Sequence, residues 1–202
     1  MKRACWGAAL LIFAAAFPGA ALAQFGNLLG GGKDSGSASP EAIVKGYVDG
    51  AKLVLKAQER LLTAIGKKEE AAKAALQAEN LTDGATKQSL EEAAKTQTEN
   101  SKIIEDGLKN QETKLDAESK VVYGQGLGSL GQGVRKYVNL LPVVKGFKPG
   151  LNVIGSAAQG AMFIASSLPG NASNLQSTLS TAIKYGQSQG VAIPEDATAA
   201  LK

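Results

Sequence analysis

Apolar residues recur at helical spacing from Val44 onward: Val48, Ala51, Leu55 and Leu62 follow it, with Tyr47, Val54, Leu61 and Ile65 beside them. The period is 3.6 rather than 2, which predicts an amphipathic helix. Ser39-Pro40-Glu41 is its start signal: a hydroxyl to cap, a proline at the first helical position and an acid near the positive helix end. Gly66 is a point where the helix can bend, and the Ala/Glu/Lys-rich stretch Glu69 to Ala78 carries it on. Asn80-Leu81-Thr82-Asp83-Gly84 then reads as a stop and turn.

A second seam follows. Ala94, Ser101, Leu108, Leu115 and Val122 share one seven-residue spacing, and Leu90, Gln97 and Ile104 share another. Its polar members suggest a half-solvated bundle helix. Residues 41–80 and 84–123 would then form two matched helices of 40 residues each, joined as a long antiparallel hairpin. Beyond it the pattern loosens. Helical segments are expected at Val134–Leu141, Leu151–Leu168 and Ser173–Gly186, punctuated by Pro142, Pro149 and Pro169. The residues from Val191 read as a tail. Strand signals are too short and isolated to count. The fold class is therefore all-α: the hairpin plus shorter Gly/Ala-rich helices, packed as an elongated helical bundle.

Gly124, Gly126, Gly128, Gly131 and Gly133 fall within ten positions. Each would cost a solvated helix about 1 kcal/mol, so the run is either a break or a helix packed so closely that only glycine fits. A phosphate-cradling loop would need a preceding strand and a Lys-Ser/Thr pair, and here Arg135-Lys136 precedes Tyr137. The spacing of Gly124 and Gly128 suits close helix packing, as do Gly155 and Gly160 further on.

Export changes the picture of the N-terminus. Lys2 and Arg3, the apolar run Ala8 to Phe17 and Ala21-Leu22-Ala23 make a signal peptide cleaved before Gln24. Gly30 to Ser37 then makes 24–40 a flexible linker, leaving 41–190 as the helical domain and 191–202 as the tail. A periplasmic or secreted bacterial protein is expected. The chain's one Cys and one Trp leave with the signal, and there is no His. Most nucleophilic, acid–base and transition-metal chemistry leaves with them, so no catalytic residue, metal ligand or cofactor is assigned and the chain is read as not an enzyme.

Charge divides the remainder. Glu41 to Lys120 carries 15 acids and 13 bases, finely mixed, whereas Ser119 to Pro194 carries no acid at all. Within that acid-free stretch Arg135, Lys136, Lys145 and Lys148 form a basic cluster, a candidate contact for an anionic lipid or membrane surface. The near-balance of the whole chain gives no argument for nucleic acid. Leu151 to Leu168 is uncharged but diluted by Asn152, Gln159 and serines. It reads as a central bundle helix, with a membrane-contacting segment as the alternative. Glu69-Glu70, Glu91-Glu92 and Glu105-Asp106 are adjacent acids that point about 100° apart on a helix, with lysines nearby for ion pairing. Asn171-Ala172-Ser173 matches a glycosylation sequon but reads better as a helix start after Pro169-Gly170.

Three functions follow in descending order. The first is a non-enzymatic exported bundle that binds a partner protein or itself. The second is a lipid- or membrane-binding protein using 124–168. The third, remote, is a hydrolase using carboxylates alone.

Overall fold

The computed structural model describes residues 38–109, 114–147 and 155–202, so the signal, most of the linker, Lys148 and Pro149 lie outside it. Within those residues the fold is an all-α bundle. Its helices are α1 (Pro40–Ala64), α2 (Lys68–Asn80), α3 (Lys87–Lys109), α4 (Ala117–Gly146), α5 (Ser156–Ser188) and α6 (Glu195–Ala199).

The first helix starts where the sequence places it. The Ser39 hydroxyl accepts a hydrogen bond from the Ala42 amide at 3.2 Å, with Pro40 opening the helix. It does not run on to residue 80. Gly66 adopts φ +79°, the Lys67 amide donates to the Leu62 carbonyl at 2.8 Å, and the Gly66 amide donates to Thr63 at 3.1 Å. That is the Schellman termination, for which a left-handed glycine just past the helix end is the natural residue. The chain then turns back, and α2 packs on α1.

The second expected helix also divides. α3 ends at Lys109, Lys114–Asp116 are not helical, and the Asp116 carboxylate caps α4 by accepting from the Ser119 amide at 2.7 Å. The expected pair of 40-residue helices is thus four helices, and the principal partner of α1 is α4 rather than α3.

Glycine explains that choice of partner. The run Gly124 to Gly133 is continuous helix. A methyl added at Gly133 would sit 2.7 Å from Val54, and one at Gly126 would sit 3.0 Å from Leu61. On the facing helix, a methyl at Gly50 would lie 2.7 Å from the Tyr137 ring. Each helix presents glycines to bulky residues of the other, so their axes approach and dispersion contacts offset the lost helix propensity.

Two prolines expected to end helices lie inside them instead: Pro142 in α4 and Pro169 in α5. Both are exposed, so the missing backbone bond falls on the solvent side. As a result Leu151–Leu168 and Ser173–Gly186 belong largely to one helix, α5. At Asn171 that helix is already under way, so this residue is not a cap.

The C-terminal residues are not a loose tail. Gly190 takes φ +72°, the Val191 amide donates to the Gly186 carbonyl at 2.8 Å, and α5 ends in a second Schellman motif. Val191, Ala197 and Ala200 are buried, and α6 lies on α4.

Candidate binding groove between α3 and α5

α3 and α5 lie side by side and leave an open groove between them. Two hollows adjoin there, of about 410 and 400 Å³, and share Glu91 of α3 and Phe163 of α5. Phe163 is partly buried against the core, while Met162 beside it is 46 % exposed. The α3 wall carries charge in compensated pairs: Lys87 with Glu91 at 3.4 Å and Lys95 with Glu99 at 3.9 Å.

Beneath the groove the core is polar. Gln97 is only 2 % exposed, and its side-chain oxygen accepts from the Tyr137 hydroxyl at 3.1 Å. Gln58 of α1 donates to the Gln97 carbonyl at 2.8 Å and to the Ser101 hydroxyl at 3.1 Å, and accepts from Asn100 at 3.4 Å. Tyr137 stacks on Tyr47 with ring centroids 5.1 Å apart. Burial pushes the Tyr137 phenol well above its usual 10.0 and raises Tyr47 as well, so both stay neutral donors.

This network is not closed. Among the described residues, four buried side-chain atoms make no hydrogen bond in good geometry: Tyr47 Oη, Gln97 Nε2, Ser167 Oγ and Asn171 Nδ2. They gather in one place. Ser167 and Asn171 line the groove, and Gln97 and Asn171 share a narrow crevice with Thr98, Ser101, Asn174 and Leu175. Tyr47 lies next to Asn171 and Tyr137. An unpaired buried donor costs about 1–3 kcal/mol, so four at one place set this region apart from the rest of the core.

Gln97 and Ser101 show where the seam reading needs correction. Their register matches that of Leu90, Ile104, Ala94 and Leu108, and they follow it into the interior rather than to solvent. The signal was in the spacing: a polar residue on an apolar register points inward.

The basic cluster does not form one unpaired face. Arg135 meets Asp196 at 3.3 Å and Lys136 meets Asp49 at 3.8 Å, acids supplied by α6 and α1 from outside the acid-free stretch. Lys145 is exposed in the last turn of α4, where a cation complements the helix dipole. Lys148 lies outside the described residues. Of the four glycines singled out for close packing, Gly160 is tightly enclosed, with Leu90 at 3.0 Å and Val44 at 3.1 Å from an added methyl. Gly124 and Gly128 have ordinary 3.5 Å contacts with the segment Val191–Pro194. Gly155 has nothing within 4 Å, and its φ of +152° is the reason for glycine there.

Among the described residues no three acids, cysteines or histidines converge on a metal-sized site. Glu105 and Asp106 both approach Lys109, at 3.9 and 4.0 Å. No described helix is long and apolar enough to cross a membrane. Comparison with protein-family models, with characterised proteins and with solved structures finds no match for this chain.

Proposed function

We propose that this is an exported, non-catalytic helical bundle that binds a partner protein through the groove between α3 and α5. The observation that carries the reading is the half-exposed Met162 beside Phe163, at the centre of an open groove rimmed by charges of both signs. Methionine and aromatic side chains are enriched at protein interfaces, and a polar rim surrounds such centres. Export rests on residues 1–23, and the absence of catalysis rests on a sequence without His and with its one Cys in that leader.

The cysteine-free chain beyond residue 23 offers a direct test. Met162→Cys provides a unique thiol in the groove, and Lys56→Cys provides one on exposed α1. Each variant is labelled with a short photo-crosslinker and irradiated in the producing cells' envelope fraction. Discrete adducts are expected from position 162 and not from position 56. An adduct of twice the chain's mass would make a second copy the partner. Equal labelling from both positions, or none from 162, would overturn the reading.

A further inference from the structure

We infer that the groove recognises an uncharged peptide segment, packing an apolar side chain against Phe163 and receiving a peptide carbonyl on the donors at Ser167 and Asn171. This rests on the interaction reading above and specifies the partner's chemistry.

The unpaired atoms define what is missing. Gln97 Nε2 and Asn171 Nδ2 are amide nitrogens, which donate and do not accept. Ser167 and Tyr47 contribute hydroxyls, which do both. The set is therefore donor-rich, and its complement is an acceptor. Gln97 is nearly fully enclosed, with its side chain lining the crevice that continues from the groove floor at Asn171. The donors thus lie along one line, from the open hollow inward.

Charge narrows the acceptor. Every cation on the α3 wall is matched by a glutamate, and Glu91 and Glu99 border the hollow that holds Ser167 and Asn171. A carboxylate or phosphate would meet no net positive field there. A neutral carbonyl fits better. A saccharide offers alternating donors and acceptors, and its hydroxyl protons would find few free acceptors among the two orphaned amide nitrogens. A peptide bond next to an apolar side chain supplies both required parts: a neutral carbonyl for Asn171 and Ser167, and a hydrocarbon surface for Phe163 and Met162.

Two quantities move in opposite directions under this inference. Ser167→Ala and Asn171→Leu remove orphaned donors, so each should raise the Tm of the free protein, by about 2–4 °C. The same changes should weaken peptide binding at least tenfold. A residue with a structural role alone would not show gain in stability joined to loss of affinity.

The probe is a displayed library of random dodecapeptides, selected on the purified protein and read out by affinity of the enriched sequences. The expected result is a family of uncharged peptides with a shared apolar position, whose binding falls tenfold or more on Asn171→Leu and on Phe163→Ala. Enriched peptides that bind Asn171→Leu as well as the parent would overturn this inference while leaving the interaction reading intact. The same holds for a family defined by acidic residues. No enrichment alongside specific crosslinks at position 162 would overturn the peptide assignment alone, whereas failure of both experiments would remove both readings. A fall in Tm for both Ser167→Ala and Asn171→Leu would show the donors to be structural and would also overturn it.

Discussion

Gly131 and Asp196 touch backbone to backbone. The missing side chain of one leaves the space occupied by the peptide group of the other, and a methyl at Gly131 would also come within 2.7 Å of the Ala197 Cα. The Asp196 carboxylate then reaches back across α4, accepting from Gln132 at 2.7 Å and from Arg135 at 3.3 Å. A short helix of five residues is thereby held on a 30-residue one.

Replacing Gly131 with Ala should detach α6, because the contact is with backbone and cannot yield by a rotamer change. The expected cost is about 1–3 kcal/mol. Limited proteolysis should release a fragment starting near Gly190 much faster than in the parent, while α1 to α5 stay protected. Asp196→Asn should do far less, since the Arg135 pair is solvent-exposed and such pairs contribute about 0–1 kcal/mol. Equal protease resistance of Gly131→Ala and the parent would show that the segment docks by some other contact.

Glycine substitutions along the α1–α4 interface should split by what surrounds them. Gly50→Ala drives a methyl against the Tyr137 ring at 2.7 Å and should destabilise by about 1–3 kcal/mol. Gly170→Ala, inside α5 with nothing within 4 Å, should instead stabilise by roughly 0.4–1 kcal/mol through lower chain entropy in the unfolded state. Urea denaturation of the two variants measures both. Similar shifts of the same sign would contradict the close-packing account of α1 and α4.

Much of this arrangement could be read before folding was considered. The start of α1 follows from Ser39-Pro40, and its buried stripe from the spacing of Val44, Val48 and Leu55. The fold-back at Gly66 was harder, because Glu69 to Ala78 propagates a helix equally well whether it continues or reverses. The turn is decided by two backbone hydrogen bonds that a left-handed glycine permits. Pro142 and Pro169 misled for a related reason: a proline ends a helix in isolation, but packing on either side can hold one together across it. Gly190 and the acids Glu195 and Asp196 did signal a helix end and a new helix start, but not that the new helix would lie on Gly131. The groove was partly visible in Gln97 and Ser101, polar residues on an apolar register. That Ser167 and Asn171 would join them depends on which helices become neighbours, and no local pattern encodes that.

Gln58 ties three helices' polar groups together, so its loss should be felt at a distance. Gln58→Leu keeps the volume but strands the Asn100 amide and removes the donor to the Gln97 carbonyl and Ser101. The expected destabilisation is about 1–3 kcal/mol. Amide hydrogen exchange should rise along α3 around residues 97–101 and less along α2. A neutral effect would mean that the interior tolerates unpaired groups here without cost, and the stability gain expected for Asn171→Leu would lose its basis.

Stability should be nearly constant across neutral pH and fall at both ends, for different reasons. At the acid end, Lys45 holds the Asp83 carboxyl below its ordinary 3.8 through a 2.6 Å ion-paired hydrogen bond. The Ser119 amide does the same for Asp116 at the start of α4. Both groups bind protons more tightly when unfolded, so their contribution is present above about pH 4 and is lost as pH falls further. At the basic end, burial raises Tyr47, Tyr123, Tyr137 and Tyr185 above 10.0. A raised phenol stabilises fully below the unfolded value and ceases to do so as pH climbs past about 10, because the unfolded chain ionises first. Absorbance near 295 nm should therefore stay flat as base is added, then rise in one step that coincides with loss of helical circular dichroism. Gradual tyrosinate formation in a still-helical protein would show that these phenols are reached by water, and the neutral-donor role given to Tyr47 and Tyr137 beneath the groove would fail.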